Sequence, residues 1–298
     1  MKVAVIGNAL LDINSKSHQS IYLEDSNPGT TQIHIGGVGK NIAETLARLN
    51  EKVKLVTTIG NDYYANKILE TSKSVGIDTS FVYQTEGTTP SYTSIFDHEG
   101  ELVVGISDLN TSNILPPNLQ LAIDQSQILV IASNLSTEDT HSIIINNQDK
   151  IIVVDPISKN KCMKYMDVLS YVHSLKCNIH EAEVMSNIKY TNLEDVPKMA
   201  NNILKQGVKQ VFITLGQHGS YYSNGIENGF VAALESKVVN VSGAGDAFTS
   251  GIVFGIIQNF NLQETVSFAT FLSKTSLESE APVNPELLQD VVDYIKRK

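Results

Sequence analysis

The sequence predicts an α/β fold: a doubly wound, mostly parallel sheet with helices on both faces, plus a small β-lid over the site. Short β-rich runs alternate with helical patterns along most of the chain, the order that builds a parallel sheet. Those runs are apolar throughout rather than alternating, as strands covered on both faces are. Two segments, about 11–35 and 91–106, interrupt the alternation with polar, extended, turn-punctuated sequence.

Val3–Ile6 reads as the first strand. Beyond an irregular segment, Asn41–Leu49 places Ile42, Leu46 and Leu49 on one helical face. Val53–Ile59 is the next strand and Asp62–Val75 the next helix, ended by Gly76. Ile128–Ala132, Ile151–Val154 and Val211–Leu215 are further buried strands, with helical stretches such as Leu193–Gln206 between them. Lys237–Val241 reads as another strand, running through small residues into a buried helix over Ala247-Phe248 and Gly251–Ile257. In the first interruption Ser26-Asn27-Pro28-Gly29 is a turn between extended stretches. In the second, Ser91–Ile106 alternates around Asp97-His98-Glu99-Gly100 and reads as a hairpin. The two are expected to pair as the lid, outside the main sheet. With no internal repeat, low-complexity tract or linker, residues 1–298 read as one domain.

Composition narrows the function. Hydrophobic content of 42% with 18% charged residues is that of a globular protein with a substantial core. A net charge of −10 argues against nucleic acid or an anionic membrane as partner. Cys162 and Cys177 are the only cysteines, which suggests a reducing compartment and no disulfide framework. No His-Glu-x-x-His or Cys-x-x-Cys supports a zinc site. The opening strand is too brief for a signal peptide or a membrane span, so the expected location is cytoplasmic.

The chemistry is concentrated in Val241-Ser242-Gly243-Ala244-Gly245-Asp246. A helix start presents backbone N–H groups without intrahelical partners, and the dipole adds roughly half a positive charge, so a phosphate is welcome there. Gly243 and Gly245 let the backbone come close to a ligand. Asp246 stands where a hydroxyl attacking that phosphate could give up its proton, which argues for phosphoryl transfer. A second glycine-rich loop, Gly36-Gly37-Val38-Gly39-Lys40-Asn41, is no Walker A motif: His34 replaces its first glycine and Asn41 its Ser/Thr. Its glycine pair and the Asn41 amide could instead hold a polyhydroxylated ligand. Asp12, beyond the first strand, could accept hydrogen bonds from two neighbouring hydroxyls.

Together these residues resemble the ribokinase-like (PfkB) family of sugar and nucleoside kinases over nearly the whole chain. Gly36-Gly37-Val38-Gly39-Lys40-Asn41 is similar to the family's N-terminal Gly-Gly-x-x-x-Asn signature, and Gly243-Ala244-Gly245-Asp246 to its C-terminal one. Asn178-Ile179-His180-Glu181 resembles the Asn-x-x-Glu motif, which implies that Asn178 and Glu181 organise Mg²⁺ through water. Thr214-Leu215-Gly216-Gln217-His218-Gly219 resembles the loop bordering ATP, implying nucleotide contacts at Thr214, Gly216 and Gly219. Asp25-Ser26-Asn27-Pro28-Gly29, Asp108–Asn113, Val153–Ser158 and Asn240-Val241-Ser242 resemble the pseudouridine-kinase subgroup, with Asn27 and Asn110 as lid contacts.

The resemblance implies transfer of the ATP γ-phosphoryl group to the 5′-hydroxyl of pseudouridine. Asp246 is then the base, the backbone of Gly243, Ala244 and Gly245 the anion hole, and Asp12, Gly36, Gly37 and Asn41 the substrate contacts. The alternatives are a kinase of the same family acting on ribose, another nucleoside or a fructose phosphate, and a non-catalytic nucleoside-binding regulator. The lid segments hold Lys16 but are otherwise acidic or neutral, which favours an uncharged substrate. An exposed lid edge could pair with a second copy, giving a homodimer.

Three departures stand out. Leu10 replaces an Asn common two residues before Asp12, Cys177 replaces the Pro before Asn178, and Asn240 replaces the Asp that commonly opens a monovalent-cation loop. A neutral amide binds K⁺ more weakly than a carboxylate does, which argues against strong potassium activation.

Overall fold

The structure, a computed structural model, describes residues 1–296, with side chains to Tyr294. The strands are β1 (Lys2–Gly7), β2 (Leu10–Ser17), β3 (Gly29–Gly36), β4 (Lys52–Ile59), β5 (Val82–Gln84), β6 (Ser91–Phe96), β7 (Leu102–Asp108), β8 (Ile128–Ala132), β9 (Ile151–Val154), β10 (Ser174–Asn178), β11 (Gln210–Thr214), β12 (Ser220–Ser223) and β13 (Asn228–Val231). The helices are α1 (Val38–Arg48), α2 (Tyr63–Ser74), α3 (Leu119–Asp124), α4 (Thr137–Asn146), α5 (Ile179–Ser186), α6 (Val196–Leu204), α7 (Ala244–Gln258), α8 (Leu262–Leu277) and α9 (Leu287–Lys296).

Nine strands form the main sheet in the order β13-β12-β11-β10-β9-β8-β1-β4-β5. Pairing is parallel from β11 to β5, and antiparallel only between β11, β12 and β13. Alternate residues of each central strand serve different cores. Ala4, Ile6, Leu129 and Ile131 pack under α4, α5 and α6, while Val3, Val5, Ile128 and Val130 pack under α1, α7 and α8. Two covered faces explain why these strands read as continuous apolar runs. The sheet order reverses at β1, whose neighbours β4 and β8 lead the chain in opposite directions. A ligand crevice is expected outside the carboxyl ends of the strands at such a reversal.

The two irregular excursions pair with each other into a second sheet of order β3-β2-β6-β7. β2 and β6 run parallel within it, with Asp12 opposite Tyr92, and β3 returns antiparallel with His34 opposite Asp12. The first glycine-rich loop follows the end of β3 into α1 and so sits where the second sheet returns to the main fold.

The segment 237–241 is not a strand. Val238, Val239 and Val241 are exposed, and the backbone N–H groups of Val239 and Asn240 both donate to the carbonyl of Leu277. The segment lies instead against the end of α8. Its apolar composition serves a cavity wall, described below. No helix among the described residues is long and apolar enough to cross a membrane.

Candidate active site

Asp246 lies in the first turn of α7, and Gly243 is that helix's N-cap with φ 86°. A side chain there would be strained and would also drive a Cβ into the carbonyl of Pro282, so glycine is required. No side chain among the described residues caps the helix, which leaves its first N–H groups for a ligand. Across the cleft, Asn41 in the first turn of α1 donates from Nδ2 to Asp246 Oδ2 at 2.8 Å. This contact joins the two glycine-loop signatures across 205 residues of sequence. Asn41 Oδ1 is buried without a partner among the described residues, an acceptor that a substrate hydroxyl would satisfy.

Burial pushes the Asp246 carboxyl up to about 7, with the Asn41 hydrogen bond and the Lys176 charge opposing, and Asp155 and Asp12 adding to the rise. A base poised near neutrality is suited to taking a proton at ordinary pH. Burial also pushes Asp12 up to about 6, against the nearby charges of His34 and Lys40. Gly36 makes room for it: a Cβ on Gly36 would overlap Asp12 Oδ2. Gly37, at φ 100°, caps α1 and carries the chain close over the backbone of Asn8.

Thr214, Gly216 and Gly219 line a cavity of about 730 Å³ together with Ala244 and Gly245. Its far wall is apolar and includes Val238 and Val241 from the mispredicted strand. The cavity is large enough for a nucleotide. The loop expected to border ATP and the loop expected to hold its phosphates thus share one space.

Asn178 caps α5: its Oδ1 accepts from the N–H groups of His180 and Glu181, while Glu181 Oε2 accepts from the Asn178 N–H at 2.8 Å. Glu181 is buried, and that burial raises its carboxyl above the ordinary range, with the Lys176 charge opposing. Asn178 Oδ1 and Glu181 Oε2 are engaged within the cap, and no cluster of three or more His, Cys, Asp or Glu among the described residues could hold a metal directly, so Mg²⁺ would be held here only through its waters.

Asn27 and Asn110 are placed differently. The Asn27 amide closes its own loop, accepting from Tyr22 N–H and donating to the carbonyls of Tyr22 and Asp25. Asn110, exposed beyond β7, donates to Asp108 Oδ1 at 3.2 Å. Neither makes a hydrogen bond to the residues around Asp246.

A buried group absent from the sequence-based reading lies under the anion loop. Lys176 in β10 pairs with Asp155, at the end of β9, at 3.2 Å, both almost fully buried. Thr249, one turn after Asp246, donates to the same Asp155 oxygen at 2.7 Å. Lys176 Nζ lies 3.1 Å from where a Cβ on Gly245 would be. Burial would lower its ammonium, but Asp155, Glu181 and Asp246 outweigh that and hold it above its ordinary value. The signal was available: a lysine inside the apolar run Leu175-Lys176-Cys177 must have a buried counter-charge.

A glycine-supported helix N-terminus, a buried carboxyl and a cavity of nucleotide size thus lie together, and sequence comparison shows the family in which they occur. The family model for pfkB family carbohydrate kinases matches residues 1–287, and the chain belongs to that family of sugar and nucleoside kinases. Pseudouridine kinase of Escherichia coli strain K12 is 35% identical over 302 aligned residues, spanning 99% of this chain and 96% of that protein. A carbohydrate kinase from Agrobacterium tumefaciens superposes with a TM-score of 0.82 at 25% identity, over 99% of this chain and 96% of its own. Arabidopsis thaliana ribokinase, solved with ribose and ATP, superposes at 0.83 with 18% identity over 97% and 98% of the two chains, which speaks for the ribokinase-like fold.

Proposed function

We propose that this chain transfers the γ-phosphoryl group of ATP to the 5′-hydroxyl of pseudouridine. The observation that carries the phosphotransfer is the Asn41–Asp246 contact at the mouth of the anion loop. The substrate assignment is supported by the 35% identity to a pseudouridine kinase and by the subgroup-like sequences around Asn27, Asn110, Asp155 and Asn240.

Asp12 and the Asn41 Oδ1 acceptor hold the ribose hydroxyls in this reading. Asp246 takes the proton as the 5′ oxygen bonds to the γ-phosphorus, and the bond from that phosphorus to the bridging oxygen of ADP breaks. Positioning alone can supply up to ~7–11 kcal/mol in favourable cases. The N–H groups of Ala244, Gly245 and Asp246 face the charge on the transferring group, at about 2.7–4 kcal/mol per well-placed donor. Mg²⁺, held through water by Asn178 and Glu181, would neutralise phosphate charge when bound. Thr214, Gly216 and Gly219 border the nucleotide, and the β3-β2-β6-β7 sheet acts as a lid that excludes water. The whole is one kinase domain working in the cytoplasm, where Cys162 and Cys177 stay free and buried.

Initial-rate ADP production with Mg·ATP and pseudouridine, uridine, ribose, adenosine, inosine or fructose 6-phosphate tests this directly. The highest kcat/KM is expected for pseudouridine. Another preferred acceptor would keep the kinase and discard the substrate, and no turnover with any acceptor would favour a binding protein. Asp12→Ala should raise the KM for the nucleoside by at least ~10-fold with the KM for ATP unchanged, the scale of losing a charged hydrogen-bond acceptor. An unchanged nucleoside KM would remove Asp12 from the site.

The second sheet leaves Leu102, Val103, Val104 and Ile106 of edge strand β7 exposed, together with Ile33 of β3. An exposed apolar edge invites pairing with another strand. We propose a homodimer through this sheet; light scattering that finds only monomer at micromolar concentration would refute it.

A further inference from the structure

The two segments that meet beneath the anion loop are fastened by a side-chain amide. Asn240 Oδ1 accepts from Ser242 N–H at 2.9 Å, and Asn240 Nδ2 donates to the carbonyl of Glu280, 40 residues away, at 2.9 Å. The orientation is fixed by this pair, since a flipped amide would set Oδ1 against the Glu280 carbonyl oxygen and its NH₂ against an N–H. Ser276 completes the joint, with Oγ 2.8 Å from the Pro282 carbonyl and 3.3 Å from that of Ser242. Gly243, the cap of α7, lies so close to Pro282 that its position is set by this second segment.

The family resemblance implies a monovalent cation here, opened by Asp where this chain has Asn240. The residues present do not fit one. A cation needs oxygens that are unengaged and a net negative surrounding. Here the Glu280 carbonyl accepts from the Asn240 amide, and the single Ser276 hydroxyl proton serves the Pro282 carbonyl at 2.8 Å ahead of that of Ser242 at 3.3 Å. The amide N–H already brings a positive end to the Glu280 carbonyl, where a carboxylate would need a cation between the two oxygens.

We infer that Asn240 does the work of the missing cation: its amide locks 237–243 to 276–284, so the anion loop is preformed for nucleotide without potassium. Asn240 is a positioning residue, acting through the Gly243–Gly245 backbone. The inference rests on the kinase reading, in which that loop holds the phosphates.

The test measures Mg·ADP binding by calorimetry, beside turnover, in potassium, sodium and choline chloride at equal ionic strength. Wild-type affinity and turnover are expected to be the same in all three salts. Asn240→Asp should bind Mg·ADP about tenfold more weakly in choline and regain the affinity saturably with potassium, the scale of one lost hydrogen bond with its partner left unpaired. Asn240→Ala should weaken equally in every salt, without rescue. Wild-type binding that needs potassium would overturn the inference and leave the kinase intact. So would an Asn240→Asp variant indifferent to salt and as tight as wild type. Absence of Mg·ADP binding by wild type in every salt would instead overturn the kinase reading and this inference with it.

Discussion

Asp246→Asn is expected to lower kcat by ~10²–10⁴, the range that a positioned general base contributes. Nucleotide and nucleoside affinities should stay close to wild type, because the amide keeps the size of the side chain and its oxygen can still accept from Asn41. The pH profile separates base from bystander. With the carboxyl pushed up to about 7, wild-type kcat/KM should rise with unit slope to an inflection near pH 7. Below about pH 6, protonation of Asp12 should steepen the slope towards two. The residual rate of Asp246→Asn should lack the inflection near 7. A variant retaining more than about a tenth of wild-type turnover would remove Asp246 from this role.

The same shift fixes a stability effect of opposite sign. Unfolded, the carboxyl titrates near its ordinary value of 3.8; folded, near 7. Between those values the folded state binds more proton than the unfolded one, so stability falls as pH rises through that window. Above pH 7 the native protein carries a carboxylate its surroundings disfavour. Asp246→Asn should therefore melt no lower than wild type at pH 8. A clear loss of Tm there would mean that the carboxylate braces the fold rather than serving the chemistry.

Sequence pattern was enough for most of the frame because both faces of the main sheet are buried. Ile128–Ala132 and Ile151–Val154 stand in the structure as read, since a strand covered twice has no choice but to be apolar. The pairing of 11–35 with 91–106 was legible for the converse reason: polar extended sequence is ill suited to the centre of a sheet covered on both faces. The two antiparallel strands at one side of the sheet were less legible. β12 (Ser220–Ser223) and β13 (Asn228–Val231) are short, polar or half-covered, and carry no apolar run. The apolar Lys237–Val241 was misread because composition reports an apolar neighbour without saying whether it is a strand or a cavity wall. Within the site, glycine loops announce themselves locally, whereas Lys176 announces only its need for a counter-charge, and Asp155 is identified as that partner only when β10 pairs with β9. Asn27 is harder still to read from sequence, because an asparagine in a turn can spend its amide on its own loop, as it does here.

Lys176→Met should be the most damaging change outside the base. It leaves Asp155 buried beside Thr249 without its counter-charge, and breaking a buried pair from one side costs about 3–5 kcal/mol. Loss of the ammonium also removes an influence that holds Asp246 and Glu181 down, so the inflection in kcat/KM should move above pH 7. Turnover at pH 7 would fall from both causes, which makes the single variant ambiguous. Combining it with Asp155→Asn resolves the ambiguity. Lys176 lowers the Asp246 carboxyl and Asp155 raises it, so neutralising both should return the inflection towards 7 and restore most of the stability. What the double variant cannot restore is a positive charge under Gly245, where Lys176 has one hydrogen-bond partner among the described residues and three N–H donors. Its kcat should stay at least ~10-fold below wild type, the share of a charged donor facing a transferring phosphoryl group. Full recovery of kcat in the double variant would show instead that Lys176 serves only to neutralise Asp155.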